Sequence, residues 1–433
     1  MRRILAGELH EHAGAPVQIA GWLHRQRRLS RVTFLIVRDR SGLAQVVVGD
    51  RAQAERVASL APETVLSVTG RAVASAQAPG GVEVHEPGLE LVAEPGEPPP
   101  LELWRPTLAA QLPTRLDLAP LALRHPRAQA VFRVAAASVA GFRDALDGLG
   151  FTEIQTPKIV ASATESGANV FAIDYFGRAA YLAQSPQFYK QMMVGVFERV
   201  YETGPVFRAE PHDTPRHLSE YVSLDAELGF IADHADVMAV AREAVAGMAA
   251  SVELRADAAV GLLGIELPRV PAQIPAVHFA DAQAMIAAAT GEDLEGEPDL
   301  APAHERWLGD WAWREHGSEF VFVTGYPMAK RPFYTHPDPA RPQFSSSFDL
   351  LFRGLELITG GQRLHLYDDY LAALGARGED PLAYESYLQA FRYGMPPHGG
   401  FAIGLERWVS RLTGAANVRE TTLFPRDRNR LTP

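Results

Sequence analysis

The sequence predicts two joined domains, a small all-β barrel followed by a larger α+β domain. Three observations carry that prediction. Within residues 1–92, five segments alternate apolar and polar side chains, with one helical segment after the third. Residues 94–100, Glu-Pro-Gly-Glu-Pro-Pro-Pro, can neither continue a sheet nor start a helix. Beyond Pro126, helical periodicity and strand alternation intermix, which is the α+β pattern. A chain of 433 residues is long enough to give both domains a core.

Taken in order, the barrel strands fall at 17–23, 32–37, 43–48, 65–73 and 81–92, with a helix over 52–60. Five strands with a helix after the third is the OB-fold pattern, frequent among binders of single-stranded nucleic acid. A barrel with another task has the same pattern. Domain boundaries are therefore expected at 1–92, 93–125 (a linker or hinge, with no element assigned after residue 100) and 126–433. The second domain opens with a helix over 128–149, stopped by Gly150, and a strand over 151–156, stopped by Pro157. Residues 164–169, rich in Gly and Ser, form a loop carrying Glu165. A helix begins at Gln187 after the cap and first turn Ser185-Pro186, and places Gln187, Lys190 and Gln191 within one turn. Further helices are expected over 235–254, 280–289 and 303–315, with strands at 319–324 and, as one long element, 347–359. Trp307, Trp311 and Trp313 read as helix packing. A last helix carries Arg407.

Composition narrows the function classes. The formal charge of −11 argues against a general nucleic-acid coat but not against a local basic surface. Such a surface appears at His24-Arg25-Gln26-Arg27-Arg28, Arg31, Arg38 and Arg40. The absence of cysteine excludes disulfides, thiolate catalysis and cysteine zinc sites. No stretch reaches the ~20 apolar residues a bilayer requires, and the first residues turn polar too early for a signal peptide. A cytoplasmic enzyme without membrane contact is expected. Lysine occurs only at Lys158, Lys190 and Lys330, so the one beside Gln187 stands out.

The most chemically loaded stretch is Gly204–Gly229, GPVFRAEPHDTPRHLSEYVSLDAELG. It reads as two strands joined by a polar loop. Alternation puts Arg208 and Glu210 on one face of the first strand, and Asp225 and Glu227 on one face of the return strand. Such a surface suits a triphosphate held through arginine and a metal ion. A charged, solvent-facing hairpin fits the same residues.

Three motifs in order break the tie. The F-R-x-E stretch with its return strand resembles the second signature motif of class II aminoacyl-tRNA synthetases. Gly400-Phe401-Ala402-Ile403-Gly404-Leu405-Glu406-Arg407 resembles the third, with a looser first glycine spacing. Gln184-Ser185-Pro186-Gln187-Phe188-Tyr189-Lys190-Gln191 resembles the amino-acid-binding segment of aspartyl-tRNA synthetases. The likeness runs through nearly the whole chain and is nearest the short archaeal and eukaryotic type, because no extra domain fits between the second and third motifs. The helix, strand and proline at 128–157 are similar to the first motif, which in the family builds the dimer interface.

The resemblance implies a mainly antiparallel catalytic sheet and a set of roles. Arg208 and Arg407 would be catalytic. ATP would be held by Arg208, Glu210, Arg216, His217, Tyr221, Glu356 and Arg407, and aspartate by Glu165, Ser185, Gln187, Lys190, Asp225, Thr359 and Arg363. Glu356 and Thr359 would hold magnesium delivered with ATP, Thr359 standing where the family usually has serine. In the barrel, Arg27, Phe34 and Gln45 match anticodon readers: Phe34 offers a stacking face, and Arg27 and Gln45 can bond splayed base edges. Phe34 as a core residue of its strand is the other reading. His24 and Gln26, with Pro79-Gly80-Gly81, would decide between tRNA-Asp and tRNA-Asn. A loop of proline and glycine has little with which to reject uracil, so a relaxed enzyme that aspartylates both tRNAs is expected. The partners implied are ATP, L-aspartate, tRNA-Asp and tRNA-Asn, a second copy in a homodimer, and a downstream tRNA amidotransferase. The alternatives are a strictly tRNA-Asp-specific enzyme and an asparaginyl enzyme of the same fold. A carboxamide pocket would not call for both Lys190 and Arg363. An ammonia-using asparagine synthetase would lack the barrel, and a non-catalytic tRNA-binding relative would have lost Arg208, Glu356 or Arg407.

Overall fold

The computed structural model of the chain describes residues 1–161 and 170–433, in two units, Met1–Pro126 and Arg127–Pro433. In the first, strand alternation closes a barrel. Strands β1 (Pro16–Arg28), β2 (Thr33–Arg38), β3 (Leu43–Val48), β4 (Val65–Ala74) and β5 (Val82–Ala93) run in the order β1-β2-β3-β5-β4. Helix α1 (Arg51–Val57) follows β3, capped by the Asp50 carboxylate on the Gln53 N–H. This is the OB-fold order, with β3 and β5 parallel and the other neighbours antiparallel. Ile19, Leu35, Val37, Val46, Val68 and Val84 fill its interior. Between Leu23 and Arg25 the β1–β2 register shifts by a bulge, so Leu23 and His24 both turn inward.

Residues 101–125, where the sequence suggests no element, carry α2 (Leu112–Asp117) and α3 (Ala119–Ala122). Leu101, Leu103 and Ala122 form a small core there. Trp104 lies between the guanidinium groups of Arg25 and Arg105, 4.4 and 4.5 Å from its ring centre.

The second unit is built on a sheet of eight strands among the described residues. They are β6 (Thr152–Glu153), β10 (Arg199–Phe207), β11 (Glu220–Gly229), β12 (Ala276–His278), β13 (Phe320–Thr324), β14 (Ser347–Phe352), β15 (Leu355–Gln362) and β16 (His398–Gly404). A separate small sheet holds β7 (Ile159–Val160), β8 (Ala172–Tyr175) and β9 (Arg178–Leu182). The large sheet has the order β12-β13-β14-β15-β16-β11-β10-β6, antiparallel through its middle and parallel only at the two edge pairs. Its helices are α4 (Pro126–Gly148), α5 (Gln187–Phe197), α6 (His234–Arg255), α7 (Asp257–Leu263), α8 (Phe279–Thr290), α9 (Pro302–His316), α10 (Tyr367–Arg377), α11 (Glu385–Arg392) and α12 (Leu405–Thr413). Val134, Phe142, Val245, Met248, Phe348, Ile358, Phe401 and Trp408 make one core between the sheet and helices α4, α6 and α12. That burial, at about 25 cal/mol per Å² of apolar surface, holds the sheet rigid beneath the site.

Three local expectations are corrected. The long strand at 347–359 is a hairpin, turned at Arg353-Gly354, both of which have positive φ (48° and 68°). Apolar residues on both sides of the turn disguise it as one strand. The strand of the second motif ends at Phe207, so Arg208 and Glu210 stand in the loop beyond it, while the Arg208 N–H still bonds the Ser219 carbonyl. Trp313 is exposed; of the three tryptophans, Trp307 and Trp311 pack against the core under α9.

Candidate active site

A cavity of about 410 Å³ opens over β11, β15 and β16. Its walls gather Ser185, Gln187, Lys190, Arg208, Glu210, Arg216, His217, Tyr221, Asp225, Glu356, Thr359, Arg363 and Arg407. Every residue named above for nucleotide or amino acid is there except Glu165, which lies outside the described residues. Strand spacing explains the convergence. Asp225 on β11 and Thr359 on β15 both face Ala402 of β16, and Glu227 and Gly361 both face Gly400. Gly400 is obligatory, since a Cβ there would stand 2.1 Å from the Glu227 Oε2 and 2.2 Å from the Ala226 carbonyl.

One end of the cavity is a buried ionic cluster. The Lys190 ammonium donates to Asp225 Oδ1 (2.9 Å) and to the Phe401 carbonyl (3.1 Å), and lies 3.4 Å from Glu227. Arg363 donates through Nε to Glu227 (2.9 Å) and through Nη2 to the Gly400 carbonyl (3.0 Å). The Ser223 hydroxyl donates to Asp225. Burial opposes ionisation of Glu227, but Arg363 and then Lys190 outweigh it and hold the carboxyl below the usual range. Behind the cluster, the Tyr370 and Tyr387 hydroxyls donate to Gln191, and His398 is fully buried with its pKa lowered by burial to about 4. A neutral histidine leaves two cations facing two carboxylates. Ser185 and Gln187 line the same end, both nearly buried.

The other end is arginine-rich. Arg208 lies 5.6 Å from the ring centre of Tyr221, Arg407 is 3.3 Å from Glu356, and Arg216 bonds Glu305 of α9 at 2.8 Å. Glu305 also accepts the Glu356 N–H (3.1 Å), tying α9 to both. The Thr214 hydroxyl and His217 Nδ1 are 2.6 Å apart; burial, opposed by Glu210 and helped by Arg407, lowers the pKa of His217. Thr359 donates to Glu356 at 3.1 Å. Burial opposes ionisation of Glu356, yet Arg407 and this hydrogen bond hold its carboxyl low, and the side chain keeps 37% of its surface open to the cavity. Asp349, across the β14–β15 pair from Thr359, has its pKa raised to about 6 by burial against the pull of Arg331, with the Glu356 charge adding to the rise. Two neighbouring carboxylates and a hydroxyl form an all-oxygen donor set, which suits a hard cation such as Mg²⁺ that keeps its remaining positions for water and phosphate. No group of three or more His, Cys, Asp or Glu that could hold a metal by itself occurs among the described residues.

Two comparisons decide the family. The family described as tRNA synthetases class II (D, K and N) matches residues 111–428, and the OB-fold nucleic acid binding domain matches residues 17–92. The chain belongs to the class II tRNA synthetases. Among its relatives, the aspartate–tRNA(Asp/Asn) ligase of Thermus thermophilus is 47% identical, with all of both chains covered. That of Deinococcus radiodurans is 44% identical over 100% of this chain and 99% of the relative. Among solved structures, the asparaginyl-tRNA synthetase of Pyrococcus horikoshii, complexed with asparaginyl-adenylate, superposes with a TM-score of 0.92 at 33% identity, all of both chains covered.

In this synthetase the barrel candidates separate. Arg27 is exposed and faces Phe34 across β1–β2, and Phe34 points away from the core residues Leu35 and Val37. Gln45 donates to Glu83 at 2.7 Å. His24, turned in by the bulge, is only 7% exposed, with a ring nitrogen 3.0 Å from Arg38, which itself grips Glu63 through two 2.8 Å bonds. Any effect of His24 on an RNA base must therefore pass through its neighbours. Gln26 bonds the Leu60 carbonyl (3.1 Å), and Pro79 begins a short turn in which Gly80 and Gly81 have positive φ. Arg331 also lines the cleft, and Asp349 and Glu305 stand next to its walls, bonded to Arg331 and Arg216 respectively; none of the three has a role in the sequence motifs. An aspartate inside the apolar run Ser347–Phe352 was the available signal, since buried carboxylates are rare without a task. Glu305 and Arg331 gave none.

Proposed function

We propose that the protein attaches L-aspartate to tRNA in an ATP-dependent reaction through aspartyl-adenylate, and that it serves both tRNA-Asp and tRNA-Asn. The observation that carries the amino-acid choice is the pairing of Lys190 and Arg363 in one buried cluster. Aspartate brings two carboxylates and one ammonium. Its side-chain carboxylate fits between Lys190 and Arg363, while Asp225 faces the ammonium and Glu227 holds Arg363 in place. Ser185 and Gln187 support the bound amino acid. An uncharged carboxamide brings no charge to meet these cations, which would then keep only Asp225 and Glu227 as buried counter-charges, and that lost attraction weighs against asparagine. Relatives named aspartate–tRNA(Asp/Asn) ligase, at up to 47% identity, support the same reading.

In the first step an oxygen of the aspartate α-carboxylate attacks the α-phosphorus of ATP. The bond to the bridging oxygen breaks, and pyrophosphate leaves with the electron pair. No proton moves, so no general base is required, and catalysis is alignment plus charge neutralisation. Arg208 holds the α-phosphate, Tyr221 lies under the adenine, and Arg216, His217 and Arg407 take the β- and γ-phosphates, with Glu210 beside them. Glu356 and Thr359, with Asp349 next to them, would hold magnesium, which would supply further charge neutralisation. In the second step the terminal ribose hydroxyl of tRNA attacks the carbonyl carbon of the mixed anhydride, the bond from that carbon to the phosphate oxygen breaks, and AMP leaves, its phosphate taking up the hydroxyl proton. Arg27, Phe34 and Gln45 read the anticodon by stacking and by hydrogen bonds. The Pro79-Gly80-Gly81 turn offers few donors to reject uracil. Asparaginyl-tRNA is then completed by a separate amidotransferase, and the enzyme works as a cytoplasmic homodimer. Among the described residues no helix is long and apolar enough to cross a membrane.

Aspartylation of purified tRNA-Asp and tRNA-Asn tests the tRNA choice. The ratio of kcat/KM is expected to stay below ~100-fold, equivalent to about 2.7 kcal/mol. A larger preference for tRNA-Asp overturns dual service.

A further inference from the structure

Beside the triphosphate end of the cleft lies a second cavity, of about 260 Å³. Arg216, Arg353, Arg407 and Arg411 wall it, and none of its lining residues carries a carboxylate. Arg216 and Arg407 line both cavities, so the two share a wall. Arg407 and Arg411 stand one turn apart on α12, an arrangement in which like charges repel. Three of the four arginines have acidic partners: Arg216 has Glu305 (2.8 Å), Arg353 has Glu319 (2.6 Å) and Arg407 has Glu356 (3.3 Å). Arg411 has no carboxylate partner among the described residues, and its Nε is buried without a hydrogen-bond partner. Its carbonyl accepts from Arg353 Nη1 (3.2 Å), which brings a second guanidinium against it. Burial, and after it the charge of Arg216, lowers the pKa of Arg411, with Glu305 offsetting part of the effect. Ala415 and Ala416 also line the cavity.

We propose that this cavity is a subsite for inorganic pyrophosphate, separate from the cleft that holds ATP, in which Arg411 meets the leaving group after the α-phosphorus bond has broken. A phosphate chain fits this wall because guanidinium forks bind phosphate oxygens in pairs. The leaving group is formed at the shared wall, where Arg216 and Arg407 can follow it from one cavity into the other. The inference rests on the adenylate-forming reaction read above.

The test combines calorimetric titration of the full-length protein with inorganic pyrophosphate and with AMP, and ATP–pyrophosphate exchange in the presence of aspartate. Arg411→Gln is expected to weaken pyrophosphate binding and raise its KM by about tenfold. AMP affinity and the KM for aspartate should stay within about twofold, and Arg411→Lys should recover part of the loss. Ala416→Glu, which sets a carboxylate at the rim without touching the helix, should act in the same direction. Unchanged pyrophosphate affinity in both the Gln and Glu variants overturns the subsite, as does an equal loss for pyrophosphate, AMP and aspartate. If the wild type exchanges aspartate but pyrophosphate ignores Arg411, the subsite falls and the reaction stands. If pyrophosphate binding depends on Arg411 but aspartate supports no exchange, the assigned reaction falls and an anion site remains.

Discussion

An ammonium with 1% of its surface exposed stays charged only where anions surround it, and Lys190 has Asp225 and Glu227 within 3.4 Å. The same balance makes it sensitive to loss. Lys190→Met should lower kcat/KM for aspartate activation by about 10²–10⁴-fold, the 3–5 kcal/mol typical of breaking a buried charge cluster, with ATP affinity nearly unchanged. Wild-type aspartate kinetics in that variant would remove Lys190 from the pocket. His398 sets a pH signature nearby. Burial lowers its pKa from 6.5 to about 4, so the unfolded chain takes up a proton that the folded protein refuses. Its contribution to stability is complete above pH 6.5 and is lost as the pH falls towards 4, about 2 kcal/mol of it by pH 5. Glu406 works the other way. Burial raises its pKa to about 7, so its folded form keeps a proton and stability declines between pH 4.5 and 7. The difference in melting temperature between wild type and His398→Gln isolates the histidine: the wild type should lose more on going from pH 7 to 5. Equal losses would show that His398 does not titrate in this window.

At the scale of elements, the site depends on how closely β11, β15 and β16 approach. Gly400→Ala should push Glu227 or the β16 backbone aside, costing about 1–3 kcal/mol of stability and weakening aspartate activation. Full activity and an unchanged melting temperature would contradict the packing seen at that position. This scale also separates what the sequence discloses from what it hides. The barrel strands are legible because their apolar spacing is strong, and the helix at Gln187 because Ser185-Pro186 marks its start. The charged residues of Gly204–Gly229 are legible through the F-R-x-E motif and its two companion motifs rather than through strand alternation, since Arg208 and Glu210 stand beyond the strand. Arg353-Gly354 is not, because a two-residue turn inside an apolar run leaves the hydrophobic pattern intact. His24 is not, because a single bulge reverses which face a side chain takes. Glu305 acquires meaning only from a partner far along the chain, Arg216, which no local pattern can supply.

In the whole molecule one chain carries an OB-fold unit, whose outward Phe34 and Arg27 suit an unstacked base, and a class II synthetase unit whose cleft has a buried ionic end and an arginine-rich end. The homodimer expected from the first motif should appear as a single species of twice the 47.2 kDa chain mass in sedimentation at micromolar concentration, and a monomer there would contradict it. The choice of amino acid is the central claim. It is tested most directly by ATP–pyrophosphate exchange with each of the twenty amino acids. Aspartate should support exchange, with asparagine weaker by ~100-fold or more, because the buried Lys190 and Arg363 would be left facing a carboxamide. Exchange driven by asparagine as well as by aspartate, or by neither, would contradict the account.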